Sequence, residues 1–312
     1  MVDSKQQWKA WLYLSPAIVL LLIFTVWPII NTVRLAFLEG YNALEATWGA
    51  TYSFGIGNFI EVLNYKDFLT CLKNTVLLTF LTVPLSTLLA LLIAVALNSI
   101  KPLQKFLQTV FFLPYVTNSI AIGMVFAAMF NIIGLRPSGD MADSWGIINN
   151  IIMFFGGEPI NWINAQSSYA ANMAVMTVYI VWNALPFKIL ILLGGLQSIN
   201  KQYYDAARVD GTPRRRVFTH ITVPLLSPML AYVVITGFIG GFKEYSSIVG
   251  IFGEKMGPVG APLSLNTMVG YIYEELPEMN YGVASAAALI LFVIILIVTM
   301  INGWVSKKRV HF

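Results

Sequence analysis

The chain is poor in the groups that most protein chemistry needs. It holds one cysteine, Cys71, in 312 residues, so it forms no internal disulfide and no thiolate metal cluster, and a buried, inert thiol is expected. Its two histidines, His220 and His311, lie in or beside basic segments and make no metal constellation. There is no G-x-x-x-x-G-K followed by Ser or Thr to cradle nucleotide phosphates, and no H-E-x-x-H helix. No Ser/His/Asp set stands in a suitable context, and no internal repeat is evident. Charged residues make up only 11% of the chain, against about 25% in soluble proteins. With 57% hydrophobic residues, this sets the chain among polytopic membrane proteins. The net charge of +4 is small, and no nucleic-acid partner is expected.

What charge remains is sorted by sign. Trp11 to Ile30 is uncharged, follows Lys5 and Lys9, and extends to about Phe37 with Arg34 near the far surface. The run is too long for a signal-peptide core and lacks a prompt small-x-small cleavage site, so it predicts a first transmembrane helix. Its Pro16 and Pro28 can be accommodated within a bundle. Further spans are predicted over Leu72 to Leu97, kinked at Pro84; Leu107 to Ile133, containing Pro114; Tyr169 to Leu196; Pro224 to Phe242; and Gly282 to Val305. In the fifth, Gly237 and Gly241 stand at the GxxxG spacing that permits close helix contact.

Three connecting segments are acidic: 38–69 (Glu39, Glu45, Glu61 and Asp67 against Lys66), 134–168 (Arg136 against Asp140, Asp143 and Glu158) and 243–281 (Glu244, Glu254, Glu274, Glu275 and Glu278 against Lys243 and Lys255). The glycines and prolines of the third predict irregular or re-entrant backbone. The other connections are basic: Lys101 with Lys105, the loop 200–224, and Lys307-Lys308-Arg309 at the end. An all-α membrane protein with six transmembrane helices and both termini cytoplasmic satisfies the positive-inside rule throughout; five or seven spans would break it. Trp8, Trp11 and Trp304 read as an aromatic belt at the inner surface.

The loop between the fourth and fifth spans, NKQYYDAARVDGTPRRRVFTHITVP over 200–224, is patterned. Asn200 is placed to cap a helix running to about Val209. Asp210-Gly211 signals a turn. Thr212 is expected to cap a second helix with Pro213 at its first position. Asp205-Ala206-Ala207, then Gly211, Ile221 and Val223-Pro224 at fixed spacing, resemble the EAA signature of permease subunits in bacterial ABC importers. That family usually has Glu at the place of Asp205 and Leu at that of Val223.

The resemblance extends along the chain, to carbohydrate-uptake permeases of the maltose-importer type and in particular the first permease subunit. It is carried by Leu14-Ser15-Pro16 with Pro28, Phe112-Leu113-Pro114, Phe130-Asn131 with Gly134, Gly146-Ile147-Ile148-Asn149, Leu193-Gly194-Gly195-Leu196-Gln197-Ser198-Ile199, Gly257-Pro258 and Tyr271-Ile272-Tyr273. It implies the type I ABC importer permease fold in the bacterial cytoplasmic membrane. The division it implies is a first helix and outer loop over 1–70, a core over 71–306 that holds the coupling loop, and a basic cytoplasmic tail over 307–312. It implies as partners a second homologous permease, two ATP-binding subunits and an extracytoplasmic solute-binding protein. ATP and Mg would then sit on the partner subunits, with no cofactor, metal or catalytic residue on this chain.

The resemblance assigns Tyr204, Asp205, Ala206, Ala207, Arg208, Asp210, Gly211 and Pro224 to coupling with the ATPase. For the solute path, Lys188 is the one charge well inside a predicted span, and such a charge costs about 2.5–3.5 kcal/mol on insertion scales. Asn183, Tyr179 and Trp182 lie nearby and suit sugar rings, although helix packing explains the two aromatics equally well; Phe238, Phe242 and Tyr245 are further candidates. The solute expected is an oligosaccharide or related carbohydrate, with a polyol or glycerol-phosphate as the alternative. An ion-coupled secondary transporter is disfavoured because no predicted span holds an acidic residue.

Overall fold

In lipid, every backbone N–H and C=O must be bonded within its own segment, and uncharged runs of this length satisfy that by closing as helices. The computed structural model describes residues 7–41, 43, 52–100, 104–134 and 143–309. Expectations resting on Lys5, Glu45, Lys101, Arg136, Asp140 and His311, and on the side chains of Lys105, Lys308 and Arg309, lie outside the described residues. In chain order the helices are α1 (Trp8–Ala36), α2 (Gly57–Asn64), α3 (Phe68–Ser99), α4 (Gln104–Phe112) and α5 (Ser119–Phe130). A two-stranded antiparallel hairpin follows, β1 (Ile132–Ile133) with β2 (Ser144–Trp145). Then come α6 (Ile147–Phe154), α7 (Tyr169–Ser198) and α8 (Lys201–Val209). The chain continues through α9 (Arg214–Phe242), α10 (Ser246–Phe252), α11 (Met268–Glu275) and α12 (Tyr281–Arg309).

Among the described residues, five helices (α1, α3, α7, α9 and α12) are long and apolar enough to cross a membrane. The third predicted span, Leu107 to Ile133, is not one helix. Its halves, Phe106–Val116 and Ser119–Phe130, meet at 98°. Pro114 sits in a 3-10 turn, Leu113–Val116, and Thr117 is extended. Asn118 Oδ1 then accepts from the N–H of Ile120 and Ala121 at 2.8 and 3.3 Å, starting a new helix. Proline removes one donor and the asparagine cap supplies an acceptor for the next segment, so the chain turns a corner without leaving polar backbone bare.

Other interior prolines are absorbed differently. Pro28 and Pro224 each stand two residues beyond a π turn, Leu22–Val26 and Phe218–Thr222. The carbonyl that each leaves without its regular bond, that of Phe24 or His220, lies inside that turn. The fifth span therefore does not begin at Pro224, as the sequence predicts. It runs unbroken from Arg214, and the three arginines form the first turn of the same helix.

By contacts the chain forms two units. One comprises 1–68 and 271–292, a return to residues beyond 270 that the expected boundary near 70 does not include. Here the buried Asn58 donates to the carbonyls of Ala36 and Leu38 at 3.1 and 2.9 Å, closing the end of α1. Tyr65 stacks on Tyr271 with ring centres 4.4 Å apart.

The other unit, 69–270 with 293–312, holds two apolar clusters. Leu78, Phe130, Met176, Tyr179, Ile248 and Leu265 belong to the first; Ala90, Ala94, Leu192, Leu196, Leu226 and Val233 belong to the second. α10 lies against α5 so closely that a Cβ on Gly123 would stand 2.7 Å from Gly250 Cα. The segment 243–281 is thus irregular as predicted, with α10 and α11 as its helical parts. Of the expected tail 307–312, residues through Arg309 are the last turn of α12.

Gly123→Val is expected to push α5 off α10 and cost about 1–3 kcal/mol, the usual size for overpacking, read as a lower Tm in detergent. Gly194→Ala, where an added Cβ meets nothing within 4 Å, should leave Tm unchanged or slightly raised. Equal Tm values for Gly123→Val and the native chain would count against this packing.

Candidate functional site

Between the two apolar clusters the facing sides of α3, α7 and α9 turn polar. They line a cavity of about 300 Å³, at the lower end of the roughly 300–1,000 Å³ typical of small-molecule sites. α9 contributes Val233, Thr236, Gly237, Gly240 and Gly241, one helical stripe that reaches Glu244 just past the helix end. α7 contributes Ile180, Asn183, Ala184, Phe187 and Lys188, again at three- and four-residue intervals. Thr82, Val83 and Ser86 of α3 and Tyr115 complete the lining.

α3 reaches this polarity without unpaired protons. Thr75, Thr79, Thr82, Ser86 and Thr87 each donate their hydroxyl to the carbonyl four residues back, at 2.5–2.7 Å. Their oxygens remain as acceptors facing the interior. Lys188 uses them: Nζ donates to Ser86 Oγ at 2.7 Å, Thr87 Oγ1 at 3.0 Å and Val83 O at 3.2 Å. The residue is 5% exposed. Hydrogen bonds to a charged group contribute about 1.5–3 kcal/mol each, enough together to offset the insertion cost of the charge.

Of the seven residues expected along the solute path, Asn183 and Lys188 line the cavity. Asn183 also donates to Ser119 Oγ at 3.2 Å. The other five are placed elsewhere. Tyr179 is fully buried and its hydroxyl donates to Ser119 O. Trp182 packs on Phe126 at 5.1 Å. Phe238 meets Phe80 edge-on at 5.1 Å, Phe242 is buried, and Tyr245 packs against the first apolar cluster. Sequence reasoning missed Thr82, Ser86, Tyr115, Thr236 and Glu244. The stripe of small residues on α9 was the available signal.

Glu244 is partly buried beside the cavity and its Oε1 accepts from the N–H of Ser247 at 3.1 Å. Burial raises its pKa above the ordinary carboxylate value, and the hydrogen bonds from Ser247 and Tyr245 only moderate the rise.

The loop after α7 forms a second constellation. Asn200 caps α8, its Oδ1 accepting from Gln202 N at 3.0 Å. At the other end Gly211 has φ +65°. Gly211 N donates to Arg208 O and Thr212 N to Ala207 O, at 3.1 and 2.9 Å, the paired bonds of a Schellman stop that favours glycine. Pro213, not Thr212, occupies the cap position of α9, so the proline stands one residue earlier than predicted.

Asp205 stands just past the first turn of α8 and pairs with Arg208 at 3.6 Å on the surface. Such exposed pairs contribute little. Ala207 is turned inward at 5% exposure, while Ala206 and Asp210 face outward. Tyr204 Oη lies 3.3 Å from Thr222 Oγ1 and ties α8 to α9. Pro224 is half-buried within α9. The two alanines therefore divide their work: Ala207 lets α8 lie against its own protein, and Ala206 leaves the outer face low.

Long apolar helices, three of them (α3, α7 and α9) around a polar cavity and two of those joined through the capped helix α8, fit a membrane transport subunit. The chain belongs to the family of binding-protein-dependent transport system inner membrane components, matched over residues 83–311. It is a permease subunit and a multi-pass protein of the cytoplasmic membrane. It is 30% identical over 297 residues to the arabinooligosaccharides transport system permease protein AraP of Bacillus subtilis (strain 168), covering 94% of this chain and 86% of that one. It is 28% identical over 305 residues to the lactose transport system permease protein LacF of Rhizobium radiobacter, covering 96% and 95%. Its fold matches a chain of a bacterial ABC transporter involved in the import of the acidic polysaccharide alginate, with TM-score 0.76, 21% identity and 97% and 96% coverage.

Removing the Asn200 cap should fray the first turn of α8. Asn200→Ala is expected to cost about 1 kcal/mol, read as roughly fivefold faster amide exchange at Gln202 to Tyr204; unchanged exchange would show the cap to be idle. A second expectation concerns pH. A carboxyl with a raised folded pKa binds its proton more tightly when folded. It therefore stabilises the fold at low pH, and loses that contribution as pH rises through the unfolded value, about 4.3, to the folded one. Between pH 4 and 8, on the order of the range that brackets such groups, the Tm of Glu244→Gln should fall less than that of the native chain.

Proposed function

We propose that this chain is one permease of a binding-protein-dependent ABC importer that moves a carbohydrate of oligosaccharide size into the cell. The observation that carries the reading is likeness along nearly the whole chain to relatives named for arabinooligosaccharide and lactose transport. A cavity of hydroxyls, an amide and two aromatic rings (Tyr115 and Phe187) suits a solute with hydroxyl groups and apolar C–H faces. A phosphate-bearing solute would need an available cation. Lys188 is the one cation among the described lining residues, and its three N–H groups are taken by α3, which favours the neutral carbohydrate over glycerol-phosphate.

In this reading both termini and α8 lie in the cytoplasm. A second, homologous permease pairs with this one, and two ATP-binding subunits receive the α8 regions, with ATP and Mg held there. The chain itself hydrolyses nothing. An extracytoplasmic binding protein docks on the outer segments 38–69, 134–168 and 243–281, and the core 71–306 does the translocation. The exposed face of α8, with Asp205, Ala206, Arg208 and Asp210, meets the ATPase, and Tyr204, Ala207, Gly211 and Pro224 hold α8 in place.

The chain, tagged and purified from its own host, should bring down a second permease and an ATP-binding subunit. Ala206→Trp fills the outer face without touching the fold and should abolish recovery of the ATP-binding subunit and ATP-driven uptake, while the second permease is still recovered. Gly211→Pro, which loses both the positive φ and the N–H, should do the same. Uptake that persists without ATP, or survives Ala206→Trp at native protein levels, would overturn the reading in favour of an ion-coupled transporter.

A further inference from the structure

We propose that Lys188 is a positioning residue for transport: its ammonium pins the cavity face of α3 to α7, beside α9, so that the cavity wall follows the loop between those two helices. The inference rests on the importer reading above.

The first observation is that the ammonium is saturated. Ser86 Oγ and Thr87 Oγ1 have given their protons to Thr82 O and Val83 O, so toward Lys188 they only accept. With Val83 O they take all three N–H groups. A lysine that met the solute directly would keep a donor for it. This one is spent on a neighbouring helix, although it borders the cavity.

The second observation is the room that α9 leaves. A Cβ on Gly237 would stand 3.3 Å from Lys188 Nζ and 3.0 Å from Val83 Cγ1. Three helices therefore converge on one charged atom. Gly241, one turn on, admits Thr79 of α3 in the same way, with Thr79 Cγ2 2.8 Å from a would-be Cβ.

The third is the absence of slack. Between α7 and α8 stand only Ile199 and Asn200, and Asn200 caps α8. Between α8 and α9 stand only 210–213, bound up in the Schellman stop and the cap of α9. A displacement of α8 is therefore a displacement of the ends of α7 and α9. Apolar surfaces can slide past one another, whereas three directional bonds from a charge hold a register. A second polar tie between α7 and α3, Tyr169 to Asn74 at 2.7 Å, stands at the far end of α7 from the loop, so Lys188 is the one beside the cavity that carries the displacement across to α3.

Thr82, on α3 and in the cavity lining, supplies a reporter that needs no knowledge of the solute. In the transporter purified with its ATP-binding subunits, Cys71→Ala removes the native thiol. The reaction of Thr82→Cys with a small cationic methanethiosulfonate is then timed without nucleotide and with ATP plus vanadate. With Lys188 present the two rates should differ roughly tenfold, within the about 5–150-fold range of coupling factors. In Lys188→Met they should converge, and Lys188→Arg, which keeps the charge, should restore part of the difference.

Lys188→Met takes a charge out of an apolar bundle and so should not hinder insertion. Should it fail to assemble, Thr87→Val, outside the cavity lining and close in shape, should narrow the difference in the same direction. A native-sized difference in either variant overturns the proposal, as does a transporter with Lys188 in which nucleotide leaves the rate unchanged. A chain that purifies with no ATP-binding subunit overturns the importer reading and this inference with it.

Discussion

A polar group carried into lipid must find its partner inside the protein, and much of this structure is a set of answers to that demand. The apolar helices answer it with their own backbones. Where the chain leaves a helix, asparagine repeatedly does what water would do. Asn58 closes the end of α1, and Asn118 restarts the broken span. Asn149, with no exposed surface, binds the N–H and C=O of Ile160 together with the indole of Trp162. Asn74 reaches the carbonyls of Ser264 and Asn266 and accepts from the hydroxyl of Tyr169, and Asn164 holds both backbone groups of Ile132. An amide offers donor and acceptor at once, which a hydroxyl spent on its own helix does not. The same demand shapes the cavity, where the hydroxyls of α3 satisfy their helix first and keep only lone pairs for others.

This division explains what was legible in the sequence. Helices set by composition were visible, because an uncharged run has few ways to satisfy its backbone: α1, α3, α7 and α12 stand within a few residues of their expected bounds. The ends of α8 were visible too, since Asn200 and Gly211 act within their own turn. The corner at Pro114 was not. A proline alone does not separate the absorbed cases, Pro28 and Pro224, from the broken one; an asparagine placed to cap four residues later does. The start of α9 was misplaced for the opposite reason, because a π turn let one helix run through a proline.

The cavity was the least legible part, since a cavity belongs to facing sides of several helices. On α7, Asn183 and Lys188 share the lining with Ile180, Ala184 and Phe187. Tyr179 and Trp182 lie around the helix toward Ser119 and Phe126. Chemical suitability for a sugar selected residues from both faces, and helical phase would have separated them. On α9 the glycines read as packing residues, which Gly237 and Gly241 are, yet the same stripe carries Thr236 and leads to Glu244. A small residue that admits a neighbouring helix at one level leaves a hollow where no neighbour fills the space.

The position of the lysine along its helix follows from where the two helices are weakest. Pro84 and Pro186 each remove one backbone bond, to the carbonyls of Phe80 and Trp182. Lys188 stands two residues past Pro186, and its acceptors, Val83, Ser86 and Thr87, flank Pro84. The cross-link thus joins α3 and α7 at the turns where each bends most easily. Two helices weakened separately would flex independently, and a force applied at the loop end of α7 would be lost in its own bend. Tied at those turns, the two helices are held to one another beside the cavity that both of them line. The charge that is costly to place among apolar helices therefore joins α3 to α7 beside the proline of each.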